Sequence, residues 1–231
     1  MPLNIVKKHL PQHVALIMDG NRRWAKRNKL PTLEGHRRGL ARTKEIVDEC
    51  LNIGVRHCTL WCFSTENWQR NQKEVNYLMH LLEEYLLRHV RELHEKGVKI
   101  VHIGRKDRLA PKIMNLFSKA EALTRDNSIL TLCLAIDYGG RDEIIRAIKK
   151  GIEKDLDFTE ENFSLCLDTA GLSDPDLIIR TSGEQRLSGF MLWQSSHSEL
   201  YFTETCFPDF TVPEFNKALE EYSLRNRTRG K

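Results

Sequence analysis

His13-Val14-Ala15-Leu16-Ile17-Met18-Asp19-Gly20-Asn21-Arg22-Arg23-Trp24 is the stretch on which the reading of the fold turns. Residues 13–18 are apolar nearly throughout, the pattern of a strand covered on both faces rather than one with a wet side. The run breaks at an acid and a glycine, and a helix starts at about Asn21. An acid at a strand end can hold Mg²⁺, the glycine permits a tight turn, and the amides and dipole of a helix start attract an anion. Arg22 and Arg23 add charge-assisted hydrogen bonds to oxyanions. A plain turn capped by an acid also accounts for Asp19-Gly20-Asn21; the two arginines beside it favour phosphate. The spacings G-x-x-x-x-G-K-[ST] and G-x-G-x-x-G are both absent, so ordinary nucleotide loops find no support.

Further short apolar runs occupy residues 57–63, 98–103, 129–136 and 177–180, with helical patterns between them. Leu40, Val47, Cys50 and Leu51 mark one face of a helix over about 34–52, ended by Gly54. A longer helix covers about 73–96 and stops at Gly97, spanning ~36 Å at ~1.5 Å per residue. Its apolar stripe from Val75 to Leu93 is broadened by Leu81 and Leu87, which suits either a core helix that also packs on a partner subunit or the wall of a groove for a long apolar ligand. Alternation of strand and helix along the chain predicts an α/β fold with a central, mainly parallel sheet flanked by helices. Ligands of such folds bind beyond the carboxyl ends of the strands, so the residues just after each strand carry the functional question.

The 231 residues, 40% hydrophobic and 29% charged, suit one globular domain and exclude collagenous, low-complexity or wholly disordered chains. A formal net charge of +4 is too small to argue for nucleic acid. Basic runs at Arg22, Arg23, Lys26, Arg27 and Lys29, at Arg37 and Arg38, and at Arg225, Arg227, Arg229 and Lys231 read as solvated faces, except where the first adjoins Asp19. Cys50, Cys58, Cys62, Cys133, Cys166 and Cys206 form no C-x-x-C pair, which points to buried thiols in a reducing compartment. With neither an apolar leader nor a stretch of ~18 uncharged residues, the expected location is cytoplasmic, with room for peripheral membrane contact.

Two more clusters follow strands. Phe63-Ser64-Thr65-Glu66-Asn67-Trp68-Gln69-Arg70 sets four polar groups between two aromatics. Ser64 and Asn67 can bond a substrate, Arg70 can meet an anion and Trp68 offers an apolar face; a capped helix start is the bland alternative. The segment 174–188 opens a short strand into a donor-rich loop in which Arg180, Arg186 and Ser188 are spaced to converge on one anion, planar guanidinium groups suiting phosphate oxygens. Two cationic sites suggest two phosphorylated substrates. His36 lies one or two helical turns beyond the first cluster and can face the same anion, although a lone histidine is more often structural. Glu199 is a candidate second carboxylate for a metal, with the same reservation.

Taken together and in order, HVALIMDGNRRWAKR, GHRRG, FSTENWQR, YGGRDEI and DPDLIIRTSGEQRLSGFMLWQ with ELYF closely resemble the cis-prenyltransferases, the family of undecaprenyl diphosphate synthase, from about residue 13 to 210. The resemblance implies repeated condensation of an allylic diphosphate with isopentenyl diphosphate, each new double bond cis, with Mg²⁺, in a homodimer and with an apolar tunnel between sheet and helices. It assigns Asp19 to Mg²⁺-assisted diphosphate departure and Asn67, with Ser64 beside it, to proton removal. Gly20, Asn21, Arg22, Arg23 and His36 fall on the allylic diphosphate site, with Trp24 adjoining. Thr65, Glu66, Trp68 and Arg70 fall among the substrate contacts. Arg180, Arg186, Leu187 and Ser188 fall on the isopentenyl diphosphate site, and Glu199 on a metal ligand. The lipid product implies membrane contact, and no nucleic acid is expected.

Some positions depart from the family pattern. Thr32 stands where many members have arginine, Gln185 where some have histidine, and Ser195-Ser196-His197-Ser198 replaces a less polar stretch. The tail holds Arg227 and Arg229 before Gly230 without a clean Arg-x-Gly. Undecaprenyl length is the family default, with a short-chain synthase or a non-catalytic partner subunit as alternatives. An all-helical trans-prenyltransferase would carry D-D-x-x-D, and the chain contains no Asp-Asp dipeptide.

Overall fold

A computed structural model describes residues 10–225. Strands β1 (His13–Ile17), β2 (His57–Ser64), β3 (Val98–Ile103), β4 (Leu130–Tyr138), β5 (Leu177–Arg180) and β6 (Glu199–Phe202) form one sheet in the order β3-β4-β2-β1-β5-β6. Every neighbouring pair is parallel. Helices α1 (Asn21–Arg27), α2 (Thr32–Ile53), α3 (Gln72–Glu95), α4 (Pro111–Thr124), α5 (Gly140–Glu153), α6 (Glu160–Ser164) and α7 (Val212–Leu224) supply most crossovers and cover the sheet.

Alternate strand residues feed two cores, as the period of two requires. Val14 and Leu16 join the larger core with Ile46 of α2, Leu86 of α3, Phe117 of α4 and Phe215 of α7. Ala15 and Ile17 join the smaller one with Tyr138, Phe190 and Met191. Burial on both faces is why these strands read as unbroken apolar runs. β4 extends past the expected end at 136 because Asp137, at φ 52, is buried and chelated by the Arg108 guanidinium, a partner that hydropathy cannot reveal. α3 presents Val75, Leu81, Tyr85, Leu86 and Leu93 inward, whereas Leu87, expected to broaden that face, is 62% exposed. Its i to i+6 offset from Leu81 carries it to the outside of the helix. Among the described residues no helix is long and apolar enough to cross a membrane.

β1 leads through α1 and α2 to its neighbour β2, while β5, on the other side of β1, leads outward to β6. Connections leaving two adjacent parallel strands in opposite directions open a crevice at their carboxyl ends. Residues 18–23, Arg180 and Ser188 border that crevice.

Candidate active site

Gly20 turns the chain from β1 into α1. It caps the helix at φ 97, and a Cβ there would meet the Ser182 side chain at 2.8 Å, so glycine is required both by conformation and by space. Asp19, just before it, sits at the crevice with one carboxylate oxygen accepting the Gly20 amide (2.7 Å) and the other accepting Arg180 Nη2 (2.9 Å). Arg180 closes β5 and is buried. Its Nη1 donates to the Arg186 carbonyl (2.5 Å) and to Ser188 Oγ (2.8 Å), while its Nε is buried without an acceptor. Asn21 Oδ1 is likewise buried and unpaired. Buried donors and acceptors without partners are uncommon in native proteins, and both of these residues line a cleft of about 540 Å³.

That cleft brings together Asp19, Gly20, Asn21, Arg22, Arg23, His36, Ser64, Glu66, Asn67, Arg70, Arg180 and Ser188. The 3-10 turn at Thr65–Gln69 carries the second cluster; Asn67 closes it through its side-chain oxygen, which accepts the Ser64 amide at 3.2 Å. Arg23 is pinned across the crevice by Ser182 Oγ (2.5 Å) and by Glu184 (2.8 Å).

Other expected residues lie elsewhere. Trp24 donates its indole N–H to Asp209 at 2.7 Å, away from the cleft, because its place on α1 turns it toward the 207–209 segment. Thr65 packs against Gly139. Trp68 stands edge-on to Phe63 and lines a separate groove by α4. Leu187 joins the smaller core. Arg186 does not converge with Arg180 and Ser188: its exposed guanidinium pairs with Glu184 (2.5 Å), and it is its carbonyl that reaches Arg180. Glu199 is in register with Leu177, at the start of β5 and the amino end of the sheet, where it accepts from Arg225 at 2.8 Å. Asp19 lies beyond the opposite end, so one chain does not bring these two carboxylates to a shared metal. Thr32 opens α2 and Gln185 is exposed. The tail residues Arg227, Arg229, Gly230 and Lys231 lie outside the described residues.

Sequence reasoning missed Glu74. This buried acid, in the first turn of α3, accepts from His36 Nε2 (3.1 Å) and Arg70 Nη1 (3.1 Å) and lies 3.8 Å from Arg22 Nε. It therefore orders cleft-facing groups from α1, α2 and the turn before α3. Only the i to i+4 spacing to Arg70 hints at it in the sequence. Burial pulls the His36 pKa below its ordinary value despite Glu74, so the imidazole is neutral at pH 7 and acts as a hydrogen-bonding group rather than a third kind of cation.

The apolar wall of the cleft was equally hidden. Met18, Asn21, His36, Trp61, Cys62 and Leu78 border both the cleft and an apolar tunnel of about 110 Å³ that runs between the sheet, α2 and α3 toward Tyr85, Leu134 and Ile136. Burial pushes the Cys62 thiol up to about 12, so it stays protonated and serves as an inert wall.

No cluster of three or more metal-ligating side chains occurs among the described residues. Asp19 fits the other mode of Mg²⁺ binding, in which one carboxylate is joined by substrate phosphate oxygens and water. Each of its oxygens has one partner and keeps a further lone pair, and the side chain is 34% exposed.

A parallel α/β sheet with a cationic, partly unpaired cleft at its switch point, opening into an apolar tunnel, defines a protein that holds anions attached to hydrocarbon. The chain belongs to the cis-prenyltransferases: residues 17–230 match the family described as "Putative undecaprenyl diphosphate synthase". It is 48% identical to an isoprenyl transferase of Aquifex aeolicus, over 96% of each chain, and 49% identical to one of Clostridium tetani, over 96% of this chain and 90% of that one. Among solved structures it is similar to lavandulyl diphosphate synthase from Lavandula x intermedia in complex with dimethylallyl diphosphate, with a TM-score of 0.92 and 36% identity over 97% and 100% of the two chains. It is also similar to a probable undecaprenyl diphosphate synthase from Campylobacter jejuni, with a TM-score of 0.82 and 36% identity over 96% and 99%.

Proposed function

We propose that the chain, as one catalytic domain, condenses an allylic diphosphate repeatedly with isopentenyl diphosphate, releasing diphosphate and building a cis-polyprenyl diphosphate of undecaprenyl or similar length. The observation that carries this reading is the Asp19–Arg180 pair at the crevice, with an apolar tunnel leaving the same cleft. In this reaction the allylic C–O bond breaks with its electron pair going to the diphosphate. The terminal methylene of isopentenyl diphosphate bonds to the allylic carbon, and a proton leaves the adduct. Charge develops on the departing oxygens, where preorganised donors lower the barrier most. Arg22, Arg23 and the α1 amides face the allylic diphosphate, while Arg180 and Ser188 hold the second substrate. Asn67 and Ser64 stand on the cleft to orient the adduct as its proton passes to the diphosphate released in the same step. Mg²⁺ bound at Asp19 with the diphosphate supplies Lewis-acid neutralisation of the leaving charge. The apolar walls keep water from the electron-poor carbon.

Family membership supports dimerisation and Mg²⁺ dependence, and the product's lipid nature supports its release at a membrane surface. Free thiols throughout the described residues support action in the cytoplasm. Purified protein is to be incubated with Mg²⁺, labelled isopentenyl diphosphate and allylic primers of several lengths, and the products resolved by length and double-bond geometry. Cis products that vanish with chelator are expected; all-trans product, or none with any primer, overturns the reading.

A further inference from the structure

Two apolar spaces lie on opposite sides of α3. The tunnel, about 110 Å³, lies between α3 and the sheet. A groove of about 570 Å³ lies between the outer face of α3 and the start of α4. The partition between them is one side chain thick at Met79 and two aromatic rings thick beside it. Met79 lines both spaces, and Phe63 of the tunnel stands edge-on against Trp68 of the groove, with ring centroids 5.0 Å apart.

Volume makes that partition matter. A dry cavity of ~150 Å³ accommodates a benzene ring, so 110 Å³ holds about one five-carbon unit. A chain that grows by several units must pass beyond it. Much of the tunnel wall is close-packed core: Tyr85, Leu134, Ile136 and Phe207 are all at most 5% exposed. Met79 is half-buried, unbranched and torsionally adaptable, and it is the wall residue that borders the groove as well.

The groove suits hydrocarbon rather than an ion. Val75, Leu109, Pro111 and Ile113 line it, and the charges at its rim are already committed, Lys112 to Glu83 and Arg108 to Asp137. We propose that this groove between α3 and α4 receives the far end of the growing prenyl chain once it has passed Met79. The proposal rests on the prenyl-transfer reading above and adds where the chain goes.

The test uses the full chain with Mg²⁺, labelled isopentenyl diphosphate and a short allylic primer, reading both the rate of the first condensation and the product-length distribution. Ala110→Trp and Asn76→Trp each fill the groove from an exposed position remote from the cleft. Each is expected to shorten the main product by one or more five-carbon units while the first condensation stays within twofold of the unmodified chain. Met79→Trp is expected to shorten it further, and Met79→Ala to lengthen it. Unchanged length in both groove variants overturns the proposal, as does an unmodified chain whose product stops after one condensation. If the unmodified chain performs no first condensation, the prenyl-transfer reading itself fails, and that failure is visible separately.

Discussion

The two ends of the sheet use the same kinds of residue to opposite effect. At the amino end, His13 is buried between the Thr59 hydroxyl (2.8 Å) and the Ser173 carbonyl (2.6 Å), Asp176 accepts the amides of Gln12 and His13, and Glu199 holds Arg225. None of these groups leaves a buried side-chain polar atom unpaired. At the carboxyl end four arginines face two carboxylates across an open cleft, and Arg180 Nε and Asn21 Oδ1 lack partners. Satisfied polar groups hold a fold together; groups left over after folding are free for a ligand.

The contrast can be broken most severely at Asp19. Asp19→Asn keeps a hydrogen-bond acceptor for Arg180 but removes the charge, and is expected to lower kcat by about 10²–10³-fold with the fold retained, as checked by circular dichroism. Normal turnover in that variant would show that the cleft is not where charge develops.

The amino end is expected to respond to pH rather than to substrate. Burial holds the His13 pKa down at about 4, whereas the unfolded chain titrates near 6.5. The unfolded state therefore binds more protons in that window. His13's contribution is complete above pH 6.5 and is lost as pH falls toward 4, about 3 kcal/mol in all. Urea unfolding across this range, repeated with His13→Gln, should give a shallower slope for the variant.

Arg180→Lys keeps the charge but loses the planar fork shared by Asp19, Ser188 and the Arg186 carbonyl. The expected cost is about 1.5–3 kcal/mol, a 10- to 100-fold fall in kcat/KM for isopentenyl diphosphate. Glu74→Gln leaves three cleft groups less firmly oriented, and about a tenfold rise in KM for the diphosphate substrates is expected with the fold retained, as checked by circular dichroism. The smallest effect belongs to the solvated basic face: exposed Arg37 pairs, among the described residues, with Glu34 three residues away, so Arg37→Ala should leave both the unfolding midpoint and turnover unaltered.

The strands were legible because a parallel sheet buried on both faces writes itself as short apolar runs, and the cleft was legible where residues directly follow those runs. Asp19, Gly20, Asn67 and Arg180 were found on that rule alone. Glu74 was not, since its partners come from α1, α2 and the turn before α3, and local patterns report only neighbours along the chain. Arg186 and Trp68 were placed by their neighbourhood in sequence, yet the loop turned one guanidinium outward and the 3-10 turn directed the indole to the far side of α3. Glu199 shows the same limit on a larger scale: parallel pairing of β6 with β5 fixed it at the amino end of the sheet.

By itself, then, the sequence determined an α/β sheet, the acid, glycine and arginines at its strand ends, and membership of the cis-prenyltransferases, because these depend on local period, turn chemistry and motif order. Only the tertiary structure decided which polar groups remain unpaired, where an apolar tunnel leaves the cleft and that Met79 lies between tunnel and groove. Those properties arise between elements distant in the chain, where packing and pairing, rather than adjacency, set what each side chain touches.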